Sequence, residues 1–197
     1  RSLNRRVELW PIMQWFVEPE GNPIETMHPF ERYINPWFGG ILTRTALDKK
    51  ITSARGLRLY EESTGREYLD FVAGCGAIPF GHNPPEIWEA IERVRETCPP
   101  QVVQPAMQEA AGELARRLVE LAPGDLCMVG LSNSGAEAIE MAIKLCRAST
   151  GRPGILSTWN GYHGKTLGAL SSCGNPVYQT GYYTPAPCFD KVPFGNA

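Results

Sequence analysis

The chain reads as an α/β protein, and three observations lead there. Leu126–Leu131 is a short apolar run of strand type, followed by the small polar turn Ser132-Asn-Ser-Gly135 and a helical pattern from Ala136. After a turn at Thr150-Gly-Arg-Pro-Gly154, Ile155–Trp159 reads as the next strand. Upstream, Leu57–Tyr60 and Glu67–Phe71 alternate in polarity on either side of a turn, the pattern of a β-hairpin. Strand, helix and strand in that order predict a parallel pair joined by a right-handed crossover.

Taken in order, the first fifty residues carry Trp10, Trp15, Phe16, Phe30, Tyr33, Trp37 and Phe38 among prolines and glycines. That aromatic load suits an arm packed across another domain or subunit, or one folded on its own core. In the hairpin, Gly65 within Glu61–Arg66 is free to take positive φ. Val72-Ala-Gly-Cys-Gly-Ala77 follows, where the backbone either bends or comes close to a ligand. Gly81-His-Asn-Pro-Pro-Glu86 reads as a helix start, with Asn83 as cap, Pro84 in the first turn and Glu86 complementing the dipole. His82 is read as structural. That helix runs through Ile87, Ala90, Ile91 and Val94. A second spans about Ala106 to Leu121, with Ala110, Leu114, Leu118 and Leu121 on one face.

The central helix begins after Ser134 and places Ala138, Ile139, Ala142, Ile143 and Cys146 on one apolar face. Its opening has the chemistry of an anion site, because the free N–H groups of the first turn and the helix dipole both favour a phosphate. The same signature also opens many helices that hold only water. The next loop, Asn160-Gly-Tyr-His-Gly164, leaves the carboxyl end of the following strand, the rim on which open α/β sheets bind ligands. An aromatic ring beside a phosphate cradle suits a flat phosphorylated cofactor stacked on Tyr162; a turn with a buried aromatic is the plainer alternative.

Composition narrows the classes. With 197 residues and 43% hydrophobic content the chain is long enough to bury a core. A formal net charge of −2 favours neither nucleic acid nor an anionic membrane surface. No apolar run is long enough to span a bilayer, and Glu8 and Pro11 break the basic-then-apolar opening, which does not read as a signal peptide. Six cysteines without a CxxC pair suit a reducing, cytoplasmic setting and give no zinc-ligand spacing.

The blocks GLRLYEESTGREYLDFVAGCGA, GHNPPEI, SNSGAEAIEMAIKLCR, TGRP and WNGYHGKTLGALS, in this order and spacing, resemble the class III aminotransferases. The likeness runs from about Asn35 to Ala197. It implies the N-terminal part of the aspartate aminotransferase-like, fold type I architecture. That architecture has a three-layer αβα large domain and a small α+β domain, and its cofactor is pyridoxal 5′-phosphate (PLP). On this resemblance residues 1–50 are an arm or interface segment, 51–80 the small-domain hairpin part, and 81–197 the first part of the PLP-binding domain. Ser134, Gly135 and Ala136 match the phosphate-binding turn, with the Gly135 and Ala136 N–H groups as donors. Tyr162 matches the ring-stacking aromatic and His163 the residue beside it. Gly76 and Ala77 match a segment near the substrate entrance.

The resemblance further implies transfer of an amino group from an amino acid, ω-amino acid or diamine to an oxo acid, in a homodimer or larger assembly. Racemases, epimerases and decarboxylases share the same blocks, and a non-catalytic PLP-binding scaffold would retain only the phosphate half. The Schiff-base lysine of the family is expected downstream of Ala197, so no catalytic lysine is assigned here and a C-terminal portion is expected to complete the site. Lys144 and Lys165 do not match its position; Glu140, four residues before Lys144, is expected to be that lysine's surface ion-pair partner.

Overall fold

The computed structural model describes residues 28–100, 103, 105–180 and 186–195. Trp10, Trp15 and Phe16 of the aromatic arm lie outside the described residues. The chain divides into two compact units, Arg1–Gln101 and Val102–Ala197.

The first unit opens with two short helices, α1 (Pro29–Tyr33) and α2 (Pro36–Arg44). Each has proline at its start and a side-chain cap: His28 accepts from the Phe30 N–H, and Asn35 Oδ1 accepts from the Phe38 N–H at 2.9 Å. They meet where Gly39 lies against Glu31 and where Phe30 and Phe38 pack edge to face at 6.2 Å. An antiparallel sheet follows, β1 (Ile51–Arg55), β2 (Arg58–Glu61) and β3 (Glu67–Leu69), in the order β1-β2-β3. The hairpin expected from alternation is β2–β3, and Gly65 in its turn has φ 66°. β1 is a third strand that alternation did not reveal. The hairpin turn is anchored by Glu61, a buried carboxylate that accepts from Ser63, Thr64 and Tyr68 hydroxyls at 3.2, 2.6 and 2.8 Å. Those donors, Thr64 foremost, hold its pKa below the usual carboxylate range.

After the sheet the backbone makes a left-handed turn, α3 (Ala73–Gly76), and then helix α4 (Pro85–Glu96). The helix starts one residue later than predicted, with Pro84 rather than Asn83 as the capping residue and no side-chain cap. Asn83, at φ 49°, instead ties the sheet to the helix: its Nδ2 donates to Ala54 O at 2.8 Å and its Oδ1 accepts from Trp88 Nε1 at 3.3 Å. A tertiary partner has outcompeted the local cap.

The second unit contains α5 (Glu109–Leu121), α6 (Gly135–Thr150), β4 (Ile155–Thr158), α7 (Leu167–Ser172), a 3-10 turn at Pro176–Tyr178 and β5 (Phe189–Val192). The parallel pair exists, but one step further along the chain than the pattern predicted. It joins β4 to β5 in register Ile155↔Phe189 to Thr158↔Val192, with α7 between them in sequence. Leu126–Leu131 has no ladder partner among the described residues and is not a strand; an apolar run becomes a strand only when another strand takes its backbone groups. It remains apposed to α6, since a side chain at Gly130 would collide with Met141 Sδ.

The core of this unit centres on α7, which contacts α6, β4 and β5. Ala169, Leu170, Ser171, Ser172 and Cys173 are all buried, together with Ile143 of α6. The face that α6 turns inward comprises Ala136, Ile139, Glu140, Ile143 and Arg147, whereas the predicted Ala138, Ala142 and Cys146 are exposed. Helix and sheet are also joined by Arg147, whose guanidinium lies over the Phe189 ring at 5.5 Å and donates to Pro153 O at 2.9 Å. No helix among the described residues is long and apolar enough to cross a membrane.

Candidate functional site

The N-terminus of α6 is built as a partly satisfied cap. Ser134 is extended (φ −153°, ψ 160°), and its Oγ accepts from Glu137 N at 3.2 Å. The Glu137 carboxylate reaches back to the Asn133 N–H at 2.6 Å, which makes Ser134-x-x-Glu137 a variant of the capping box that the sequence reading overlooked. Ser132 Oγ donates to Ser134 O at 3.1 Å and stiffens the approach. Helix geometry leaves the Gly135 and Ala136 N–H groups without intrahelical acceptors. Among the described residues no acceptor meets either one. A Cβ on Gly135 would find nothing within 4 Å, so the space above this turn is open. Two N–H groups, a helix dipole and open space suit an anion, and the Glu137 charge beside them is already engaged by Asn133.

The loop that leaves β4 is seated directly on this turn. Asn160 turns the chain at φ 64°. Gly164, at φ 127°, comes so close to α6 that an added Cβ would lie 2.6 Å from Ala136 Cβ and 3.0 Å from Ala136 Cα. Contact this close requires glycine. The Tyr162–His163 segment is thereby fixed beside Ala136. Tyr162 is exposed, and its ring meets Tyr178 edge to face at 5.3 Å, so the ring plane is set while a broad part of it stays free. His163 is half-buried, and its N–H donates to Cys173 Sγ at 3.3 Å. Ser134, Gly135 and Ala136 thus lie on one side of a contact whose other side carries Tyr162 and His163.

Gly76 and Ala77 belong to the first unit and are exposed. Four consecutive residues there have positive φ: Ala73 (47°), Gly74 (59°), Cys75 (60°) and Gly76 (86°). Two of them are not glycine, and such backbone persists only where its surroundings impose it. Asp70 does so. Its Oδ1 accepts from the Val72 and Ala73 N–H groups at 2.8 and 2.9 Å, and its Oδ2 pairs with His82 Nε2 at 2.8 Å. The Ala73 N–H, then His82 and the Val72 N–H, hold the Asp70 carboxyl below the usual aspartate range.

Sequence reading missed three residues around the β4 loop. Glu140 turns inward, where its Oε1 accepts from Thr166 Oγ1, Gly168 N and Ala169 N at 2.7, 2.8 and 3.2 Å. The Thr166 hydroxyl, with the Ala169 and Gly168 N–H groups, holds its carboxyl below the usual glutamate range, and Lys144 adds attraction from a distance. The expected Glu140–Lys144 surface pair is not formed; three convergent donors outweigh one exposed ammonium. Placing Ile143 and Ala136 in the buried stripe would have put Glu140 there too. Cys173 is buried beneath the loop, with Gly164 O and Ala169 O each 3.4 Å from its sulfur. Lys191 of β5 donates to Ser157 Oγ at 2.8 Å and to Ser171 O at 2.5 Å, and burial pushes its ammonium pKa down. Lys144 and Lys165 are both exposed.

Comparison with known proteins places the chain in a family. The profile described as Aminotransferase class-III matches residues 43–197. The chain is 38% identical over 173 residues to the aminotransferase PigE of Serratia sp., covering 87% of this chain and 20% of that protein. It is 36% identical over 146 residues to the acetylornithine aminotransferase of Methanopyrus kandleri, covering 74% of this chain and 37% of that one. Among solved structures, the omega transaminase from Pseudomonas jessenii in complex with PMP superposes with a TM-score of 0.69 at 28% identity, over 86% of this chain and 38% of the other. The chain thus spans between a fifth and two-fifths of the length of these relatives. A five-block sequence signature, a mixed α/β architecture and a profile match covering most of the length agree, and the chain belongs to the class III, fold type I family of PLP-dependent aminotransferases.

Proposed function

We propose that this chain supplies the phosphate cradle and the ring-stacking face of a PLP site in a transaminase. The protein would move an amino group from an amino acid, ω-amino acid or diamine to an oxo acid. The observation that carries the reading is the seating of Gly164 on Ala136, which holds an exposed aromatic ring next to a helix start with two unpaired N–H groups. The donor set fits the cofactor: a phosphate dianion asks for N–H groups and a positive dipole end, and a flat pyridine ring asks for an open aromatic face.

In this reading the Gly135 and Ala136 N–H groups, with the Ser134 hydroxyl near them, bind the phosphate. Tyr162 orients the ring, and His163 borders it with its backbone tied to Cys173. Gly76 and Ala77, on a turn of the first unit held by Asp70, match by resemblance the family's substrate-entrance segment, which is often reached from the partner subunit. When bound, PLP supplies an electrophilic aldehyde carbon and an electron-withdrawing ring. The chain's own part is to bind, orient and exclude water from one side of that ring. The reading includes a homodimer or larger assembly, a nucleophilic lysine from further polypeptide, and a cytoplasmic setting in keeping with six free thiols.

Two measurements test it on the protein. Tyrosine fluorescence should be quenched on titration with pyridoxamine 5′-phosphate, and inorganic phosphate should compete. Incubation of the protein joined to the polypeptide that carries the lysine with PLP, a diamine or ω-amino acid and 2-oxoglutarate or pyruvate should yield glutamate or alanine. A protein that binds the phosphorylated and unphosphorylated vitamers equally well would contradict the cradle. Donor racemisation or decarboxylation without amino transfer would contradict the transaminase reading.

A further inference from the structure

The loop that carries Tyr162 is fastened to α6 at a second point besides Gly164. Glu140 lies one helical turn beyond Ala136 on the same inward face. A single carboxylate oxygen, Oε1, collects the Thr166 hydroxyl and the Gly168 and Ala169 N–H groups at 2.7, 2.8 and 3.2 Å. Gly168 approaches so closely that an added Cβ would strike the carboxylate, 2.9 Å from its Cδ. Glu140 therefore clasps the start of α7. The far end of α7 runs into Cys173, whose sulfur accepts from the His163 N–H at 3.3 Å and lies 3.4 Å from Gly164 O. The path from α6 through Glu140, α7 and Cys173 returns to the residue beside Tyr162. It closes a ring of contacts with the Gly164–Ala136 approach.

We propose that Glu140 is a positioning residue that sets the spacing between the Gly135–Ala136 N–H groups and the Tyr162 ring. Glu140 itself touches neither phosphate nor pyridine. This inference rests on the PLP-site reading above. Its physical content is preorganisation: a ligand that spans both subsites gains from binding to a fixed pair, whereas a ligand filling one subsite gains nothing from the spacing. A carboxylate is suited to the task because one oxygen can take three convergent donors, two of them main-chain groups at a helix start. An amide keeps the accepting oxygen and loses the charge.

The test compares E140A, E140Q and T166V with the unsubstituted protein, each checked for native far-UV circular dichroism. The probes are pyridoxamine 5′-phosphate, which spans both subsites, and inorganic phosphate, which fills one. Expected for E140A is a loss of about tenfold or more in affinity for the spanning probe, with phosphate affinity changed by less than about threefold. The near-ultraviolet circular dichroism of the bound pyridoxamine 5′-phosphate should weaken as the ring loses its fixed orientation. T166V should shift the spanning probe in the same direction by a smaller factor, and E140Q should recover most of the loss. Unchanged affinity and dichroism in E140A would overturn the proposal, whatever T166V shows. Equal loss of both probes in E140A would also overturn it, since Glu140 would then support the phosphate turn itself rather than the spacing. If the unsubstituted protein bound neither probe, the PLP-site reading would fall and the inference with it, an outcome distinct from variants that match the parent.

Discussion

Gly164→Ala is the most direct perturbation of the contact on which the site depends. Its magnitude has two separable parts. The added methyl would sit 2.6 Å from Ala136 Cβ and 3.0 Å from Ala136 Cα, and also 3.2 Å from Ala169 Cβ. None of these neighbours is the tip of a flexible side chain, so the helix or the loop must move. Overpacking of this kind costs ~1–3 kcal/mol. The backbone conformation is the second part: φ is 127°, where an L side chain is strained by ~1–3 kcal/mol. Together the substitution should destabilise the protein by about 2–6 kcal/mol, a large share of the ~5–15 kcal/mol that ordinary domains possess. Urea unfolding followed by circular dichroism reads this directly. Gly154→Ala is the control, because a Cβ there meets nothing within 4 Å and φ is not positive; it should change stability by less than ~0.5 kcal/mol. Adding Ala136→Gly to Gly164→Ala removes the nearest clashing atom and should recover only a fraction of the steric part, leaving the approaches to Ala136 Cα and Ala169 Cβ and the φ part in place. Gly164→Ala within ~0.5 kcal/mol of the parent, with unchanged affinity for pyridoxamine 5′-phosphate, would refute the argument that this approach fixes the loop.

Other expectations follow from single features. Gly112→Ala, inside α5 with open space around its Cβ, should stabilise the protein by ~0.5–1 kcal/mol in urea unfolding. Ser134→Ala removes the cap to Glu137 N and should cost ~1 kcal/mol; if Ser134 also faces the phosphate, the affinity for inorganic phosphate should fall alongside. Asp70 has a folded pKa below its unfolded value, so its contribution to stability is full above the ordinary aspartate range near ~3.9 and disappears as pH falls through the folded pKa. Asp70→Asn should therefore flatten that acid limb of a stability-against-pH curve, and an unchanged acid limb would show that the His82 pair and the two N–H contacts do not stabilise the fold.

Local chemistry was readable without coordinates wherever a few neighbouring residues decide the conformation. Gly65 turning the β2–β3 hairpin, the start of α6 behind Ser134 and the helical stretch Pro85–Glu96 depend on caps, turn residues and a 3.6-residue period, all contained within a dozen positions. Each block that identifies the family is of the same kind, but the single rim expected for Ser134–Ala136 and Tyr162–His163 rests on a strand at Leu126–Leu131 that does not form. Periodicity also shows that α4 and α5 have apolar faces, but Ile87, Ile91, Leu114 and Leu118 remain exposed, because a period states which face is apolar and not what lies against it.

What the tertiary structure alone decided were the partners. Leu126–Leu131 has strand composition, yet the ladder formed between β4 and β5, because pairing is a property of two segments and not of one. Asn83 has the residue type of a cap, yet it bonds Ala54 and Trp88 from twenty-nine and five positions away. Glu140 has the spacing of an exposed ion pair with Lys144, yet a rotation of the buried face by a fraction of a turn aims it at three donors that lie 26, 28 and 29 residues further along. Short-range sterics and hydrogen bonding select each element's type, and those forces are written in adjacent residues. The register of one element against another depends on which donors and which glycines meet across distance, and that is determined only when the chain has folded.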